Sequence, residues 1–491
     1  MTGAGPGEHP PRDRESAERD PGRGSRDPGG PRDRELAPRD DATPPPAHAG
    51  VWADLRALLA GSGFRKLFAV RLVSQAGDGM FQVGLASLLF FSPESQGTAA
   101  AIAGAFAVML APFTIVGPFA GVLLDRWQRR QVLVWGNAVR VVLTLGMAAL
   151  MLAGGVSGWI YAVGLAALSV NRFLLAGLSA GLPRVVDRPL LLTANSITPT
   201  LGAGAAFVGG GIGFVLGLAF EPGRVKDSSA LVCAAVVFAV ASLLALRLGR
   251  TQLGPDRPAE ASVHSEIAKV ARGLVDGARY LAARRTPGQA LLAMATHRFL
   301  YGVVFIASIL IARNLLDPGN QDAGLATFAV VVGLTGAGGA VAMVLTPTLS
   351  RHTGPQAWIA IMLLLAAASQ LLLVTTPSRA VVYAGAGLLG LAAQGTKIAV
   401  DTIVQRDTED SYRGRAFAFY DVLYNAAFVG AAALAAFTLP DTGWSRAVFV
   451  ALAVAYALAA LVMWTRGARS PRPVGSAEVS DVGPSSTTLP A

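Results

Sequence analysis

The chain has 491 residues, 53% hydrophobic and 15% charged, against about 25% charged in an average soluble domain. Roughly 20-residue apolar stretches recur from Leu67 to Trp464, the length a helix needs to cross about 30 Å of hydrocarbon with every backbone group paired, and this excludes a water-soluble core. The formal net charge of +10 does not indicate nucleic acid, because its cations sit in short loops between apolar spans and no basic stripe with interleaved aromatics appears.

Residues 1–50 hold eight arginines and ten acids and almost no large apolar side chains. Such a segment cannot bury enough surface to offset the entropy of ordering, so a disordered cytoplasmic tail is expected. Its short repeat, Pro11-Arg12-Asp13-Arg14-Glu15 and Pro31-Arg32-Asp33-Arg34-Glu35, reads as solvated rather than as a docking element. No cleavable signal peptide is expected; the first span would itself direct insertion. Spans are predicted near 67–91, 99–123, 131–153, 157–181, 191–219, 229–248, 289–312, 323–349, 356–376, 380–404, 415–438 and 445–464.

Residues 249–288 separate six spans from six. Ile267, Val270, Leu274, Ala278 and Leu281 recur there at helical spacing among Lys269, Arg272, Arg279, Arg284 and Arg285, which predicts an amphipathic helix on the cytoplasmic face. The expected organisation is a tail (1–50), an N-terminal six-helix bundle (51–248), this linker (249–288), a C-terminal six-helix bundle (289–466) and a second disordered tail (467–491). Arg126, Arg129 and Arg130 follow span two, Arg184 and Arg188 span four, and Arg406, Arg413 and Arg415 span ten. The opposite loops Ser92–Thr98 and Gly154–Gly158 are nearly free of cations, with Arg224 and Lys226 the main exception. The even-numbered side, the linker and both termini are therefore expected in the cytoplasm, and the chain in the cell membrane as a multi-pass protein.

Polar residues inside spans cannot face lipid and mark cavities or interior contacts. Span one carries Arg71, Gln75, Asp78 and Gln82 at steps of four, three and four, on one helical face. Asp78 is the carboxylate expected to couple protons or read substrate charge, unless it serves only as a structural ion pair with Arg71 or Arg140. Arg140 in span three and Arg172 in span four, beside Asn137 and Asn171, either line the cavity or snorkel to an interface. In the second half Gln394, Lys397 and Asp401 in span ten, Asp421, Tyr424 and Asn425 in span eleven, and His297, Arg298 and Tyr301 in span seven form a second polar lining. Lys397 and Asp401 are four apart and able to pair. Of four lysines in the chain, Lys397 alone falls within a span. Gly209, Gly213 and Gly217 in span five are spaced for close helix packing. The lone Cys233 reads as a small buried hydrophobe.

The loop Gly121-Val122-Leu123-Leu124-Asp125-Arg126-Trp127-Gln128-Arg129-Arg130 resembles the signature loop of the major facilitator superfamily, G-x-L-x-D-R-x-G-R-R, with Gln128 at the second glycine. The resemblance covers roughly residues 62–466. It implies two six-helix bundles related by a pseudo-twofold axis along the membrane normal, each with inverted three-helix repeats. It also implies a cytoplasmic latch, in which Gly121, Asp125, Arg126, Arg129 and Arg130 face the start of span eleven at Arg413 and Arg415, the aspartate meeting that helix's positive end. Val404-Gln405-Arg406-Asp407, Arg413-Gly414-Arg415, Gly77-Asp78-Gly79, Ala194-Asn195-Ser196 and the glycine-rich fifth span are similar to the drug–proton antiporter branch that includes macrolide and enterobactin exporters. An all-α membrane protein of twelve transmembrane helices is thus expected, exporting a hydrophobic or amphiphilic small molecule by alternating access coupled to protons. The alternatives are a proton-coupled nutrient importer and a transporter-like receptor or scaffold without flux. Partners expected are the substrate, protons and the lipid bilayer, with no nucleic acid and the chain as a monomer. No phosphate loop, HExxH or paired-cysteine motif is found, so no enzyme activity, cofactor or metal is expected.

Overall fold

The computed structural model describes residues 51–91, 97–115, 119–124, 126–154, 158–221, 223–255 and 262–467; the tails predicted over 1–50 and beyond 467 lie outside the described residues. Fifteen α-helices are described: α1 Val51–Ala60, α2 Ser62–Ala86, α3 Ala99–Ile115, α4 Ala120–Leu124, α5 Arg129–Gly154, α6 Gly158–Gly181, α7 Leu191–Gly217, α8 Arg224–Leu246, α9 Val263–Ala283, α10 Arg285–Leu310, α11 Gln321–Thr353, α12 Pro355–Thr375, α13 Arg379–Asp407, α14 Asp410–Thr438 and α15 Arg446–Gly467. Nine of them, α5–α8, α10–α12, α14 and α15, are long and apolar enough to cross a membrane among the described residues. α2 and α13 fall outside that set; they are long enough but carry charge along their length, from Arg65, Lys66, Arg71 and Asp78 in one and Arg379, Lys397, Asp401, Arg406 and Asp407 in the other. Large apolar side chains face outward: Phe437 is 90% exposed, Val344 72% and Trp159 72%. In water such a surface would aggregate; against lipid it needs no cover.

Two sets of helices form. In the first, α2 lies against α7 and α8, and α5 against α6 and α8; in the second, α10 lies against α13 and α14, and α12 and α11 against α13, with α15 on α12. α3 touches both sets, through α6 and α14. Backbones approach to contact where glycines allow it. A Cβ on Gly79 would fall on the carbonyl oxygen of Ala206 and 2.6 Å from Gly210 N, and one on Gly209 would fall on the carbonyl of Ala76. The second set repeats this between α11 and α13, where Gly338 meets the Gly387 carbonyl and Gly390 the Thr335 carbonyl. Gly79→Val should therefore destabilise the protein by more than the roughly 1–3 kcal/mol of ordinary overpacking, because the obstructing atoms are backbone. Detergent-solubilised melting by size-exclusion chromatography reads this out, and an unchanged melting temperature would contradict the close approach.

Three features depart from the sequence reading. The first predicted span is preceded by α1, which is too short to cross a bilayer and buries Leu58. α2 and α10 each end in a wider π turn, Ser87–Phe91 and Ile311–Leu316. The predicted amphipathic helix exists as α9, capped by Ser262 Oγ accepting from Ser265 N at 3.2 Å. It packs on α14, α4 and α10, contacts the sequence did not specify. Tyr280 stacks on Tyr412 with ring centroids 4.3 Å apart, Arg284 pairs with Glu409, and Gly277 sits where a Cβ would be 2.8 Å from the Arg415 carbonyl.

Candidate functional site: a charged layer between the helix sets

Helical geometry divides the predicted stripe of span one. Ser74 and Asp78, four apart, both turn toward α5 and are buried. Arg140 on α5 pairs with Asp78 and donates from Nη1 to Ser74 Oγ at 3.3 Å, while Ser74 Oγ donates to Asn137 Oδ1 at 3.0 Å and Asn137 Nδ2 to the Leu133 carbonyl at 2.8 Å. Asn171 on α6 reaches the same carboxylate. The Arg140 guanidinium lies 3.6 Å from the centroid of Phe238. At 1% and 4% exposure, Arg140 and Asp78 are sealed inside the first set. Arg71 and Gln75 turn instead toward α7: Arg71 Nε donates to Gln75 Oε1 at 3.1 Å, and the absent side chain of Gly202 leaves room for both. Gln82 is exposed. Gly209 and Gly213 pack on α2, the latter where a Cβ would be 3.2 Å from Met80 Cα, whereas Gly217 has no neighbour within 4 Å of its Cβ position.

The second set carries its own charges. Lys397 Nζ donates to Asp401 Oδ2 at 2.6 Å, one turn apart on α13, and lies 5.9 Å from the Tyr420 ring. Asp421 on α14 is within electrostatic reach of Lys397, Asp401 and, across the two sets, Arg172 of α6. Asn425 is buried and donates from Nδ2 to the Asp421 carbonyl at 2.8 Å. Gln394 is half-buried beside Gly339 of α11. Arg298 on α10 lies over three rings, 3.7 Å from the centroid of Phe428, 4.2 Å from Tyr424 and 5.4 Å from Tyr301. Its neighbour His297 is buried, and neither ring nitrogen has a hydrogen-bond partner among the described residues.

The predicted latch is only partly described: Asp125 lies outside the described residues. Gly121 is in α4. Arg129 Nη1 donates to the Leu253 carbonyl and Arg130 Nη2 to the Leu246 carbonyl, both at 3.0 Å, so these two tie the start of α5 to the end of α8 and the segment after it. Arg126 is half-buried, with Nε and Nη2 lacking a partner among the described residues. Arg415 rests 5.0 Å from the Tyr412 ring, close to Arg413 at the exposed start of α14. Arg406 donates to Asp407 at 2.6 and 3.1 Å, and that hydrogen bonding raises its pKa above the usual arginine value.

Contacts that sequence reasoning missed join the sets at the end remote from these arginines. Arg313 Nη1 donates to the Phe90 carbonyl at 2.5 Å. Asn314 Nδ2 donates to the carbonyls of Gly97 and Asp441 at 2.7 and 2.5 Å, and Asp441 Oδ1 accepts from Ala99 N at 2.9 Å. Lys226 pairs with Asp322 at 2.7 Å. Beneath them Phe106 of α3 meets Phe305 and Phe428 at 5.2 and 4.9 Å between centroids, and Phe91 meets Phe328 at 5.7 Å. The signals in the sequence were the Arg313-Asn314 pair closing an apolar span and Lys226 on the side otherwise nearly free of cations. The result is a layer of charge within the helices, closed at one end by rings and hydrogen bonds.

The sequence matches the Major Facilitator Superfamily over residues 67–407 and again over 354–489. MFS-type transporters described as uncharacterized, from Mycobacterium tuberculosis and Mycobacterium bovis, are each 35% identical over 428 residues, covering 87% of this chain and 96% of theirs. Among solved structures, the nucleoside transporter NupG is similar with TM-score 0.60 at 13% identity, over 82% of this chain and 99% of that one. A peptide transporter POT is similar with TM-score 0.65 at 12% identity, over 82% and 94%. At those identities the likeness is one of fold. Multiple apolar helices, a buried charge layer and these relatives together describe a membrane transporter rather than an enzyme, and the chain belongs to the major facilitator superfamily.

Proposed function

We propose that the protein is a secondary active transporter of twelve transmembrane helices in two six-helix bundles, and that it exports a hydrophobic or amphiphilic small molecule in exchange for protons. The two helix sets are the bundles, with α3 and α4 forming the second span. The termini and α9 lie on the cytoplasmic side of the plasma membrane, following the arginine-rich loops. The conformation is inward-open: the remote end is closed by Arg313, Asn314 and the phenylalanines, while Asp421 is exposed and the Lys397 side chain 37% exposed. Such polar side chains at this depth require water, supplied from the cytoplasmic side.

The reading rests chiefly on charge shared between the helix sets, Arg172 of α6 lying within electrostatic reach of Asp421 of α14. Each bundle therefore meets the other through groups whose attraction changes when a proton or a charged solute enters. Asp78 is the coupling carboxylate: protonation would release Arg140, whose other contacts are Ser74 and Phe238. Energised inverted membrane vesicles given a fluorescent amphiphilic dye on the outside test this. Dye entry should be accompanied by proton release in the wild type and lose that coupling in Asp78→Asn. If the wild type moves dye without protons, proton coupling is wrong; if Asp78→Asn couples normally, another carboxylate does the work. Uptake of a defined nutrient by intact cells, with no dye flux, would reverse the direction assigned.

A further inference from the structure

Eight charged residues lie six or more residues inside the ends of the helices other than α9, about 9–24 Å along the axis from the arginine-rich side. They are Arg71, Asp78, Arg140, Arg172, Arg298, Lys397, Asp401 and Asp421. Arg140 is matched by Asp78, while Lys397 and Arg172 are matched by Asp401 and Asp421. Arg71 and Arg298 remain, and among the described residues neither has a carboxylate partner. Arg71 is held by Gln75 against α7. Among the described residues Arg298 is met by ring faces, and its Nε is buried without a hydrogen-bond partner there. A guanidinium carries five donors and does not lose its charge, so at this depth it calls for an acceptor that no described residue provides.

Beside it is a cavity of about 80 Å³ lined by Tyr301, Val304, Phe305, Leu389 and Phe449. This is roughly half the ~150 Å³ that admits a benzene ring, and suits a short or branched alkyl group. The polar side chains on its wall are spent locally: Ser308 donates to the Phe305 carbonyl at 2.6 Å and Thr335 to the Val331 carbonyl at 2.8 Å. Tyr301 lines this cavity and also stands against Arg298, so the guanidinium and the cavity share one wall.

We infer that Arg298 and the adjoining apolar cavity form a binding site for an amphiphilic oxyanion, its carboxylate, phosphate or sulfonate on the guanidinium and its apolar part in the cavity. The inference rests on the transport reading above and narrows its substrate class. The charge of the occupant follows from the surplus of cations, and its two-part shape from a ring cage that shares Tyr301 with an alkyl-sized space. Planar, bidentate donation by arginine favours such a head over a neutral one.

The test uses 4-methylpentanoate and isobutyltrimethylammonium on purified full-length protein in nanodiscs of neutral phosphatidylcholine, followed by thermal unfolding. 4-Methylpentanoate should raise the unfolding temperature saturably and the cation should not. Arg298→Gln should weaken 4-methylpentanoate at least tenfold, and Arg298→Lys, which keeps the charge but loses the fork, should weaken it less. Equal stabilisation of the wild type by both probes overturns the inference without any variant, as does an unchanged 4-methylpentanoate affinity in a folded Arg298→Gln protein. Repeating the titration with phosphatidylglycerol in the disc separates the sources. Competition seen in the wild type but not in Arg298→Gln assigns the head to a lipid, and its lack assigns it to a free solute; either result supports the oxyanion site. In inverted vesicles, flux of a cationic but not an anionic dye overturns the substrate class and leaves the transporter standing. Flux of neither overturns the transport reading itself.

Discussion

Replacing Arg140 by methionine is expected to cost roughly 3–5 kcal/mol of stability, the usual result of stripping one partner from a buried ion pair. Asp78 would remain inside the first helix set with Asn171 as its polar neighbour and no cation. The cost comes from the stranded carboxylate rather than from the strength of the bond, so Asp78→Asn combined with Arg140→Met should recover most of it. Methionine also fills the space against the Phe238 ring where the guanidinium now lies. Urea melts of the two single variants and the double variant in detergent close the cycle. A double variant as unstable as Arg140→Met would mean that packing, not charge, holds α2 to α5 here.

The second large effect concerns transport. Arg172→Asp and Asp421→Arg, made singly, each place like charges across the two helix sets: an aspartate within electrostatic reach of Asp421, or an arginine within reach of Arg172. Coupling between states in such systems is typically 1–3 kcal/mol, or roughly 5–150-fold. Flux in proteoliposomes should therefore fall by at least about fivefold in each single variant. The exchanged pair, Arg172→Asp with Asp421→Arg, restores attraction and should regain a substantial part of the flux. Protein folded to wild-type levels in both single variants, with no rescue in the exchange, would show that the two residues act separately. Because Asp421 is exposed, the effect belongs to the transition between states rather than to folding stability.

Much of the architecture was legible in the sequence because a membrane simplifies the problem: backbone pairing forces helices, and apolar length marks where they run. Helices such as α8, α12 and α15 follow from that alone. The π turns at Ser87–Phe91 and Ile311–Leu316 leave no mark in composition. The stripe in span one was legible as a face but not as its division, since a drift of a few tens of degrees sends Asp78 to α5 and Gln75 to α7. Lys397 and Asp401 were readable as a pair because they share a helix. Arg140 with Asp78 and Arg172 with Asp421 lie on different helices, and sequence spacing carries no information about which neighbours meet. Phe106, Phe305 and Phe428 were invisible as a cluster because a phenylalanine in an apolar span looks like any other lipid-facing residue.

The glycine contacts have a mechanical consequence. Where Gly79 rests on Ala206 and Gly209 on Ala76, neither helix can ratchet past the other without carbonyl oxygens colliding, and the same interlock holds Gly338 to Gly387 and Gly390 to Thr335. These pairs behave as splints that move as one piece. Compliance must then reside where larger, deformable side chains meet, at the rings of Phe106, Phe305 and Phe428, which can slide over one another with little loss of contact.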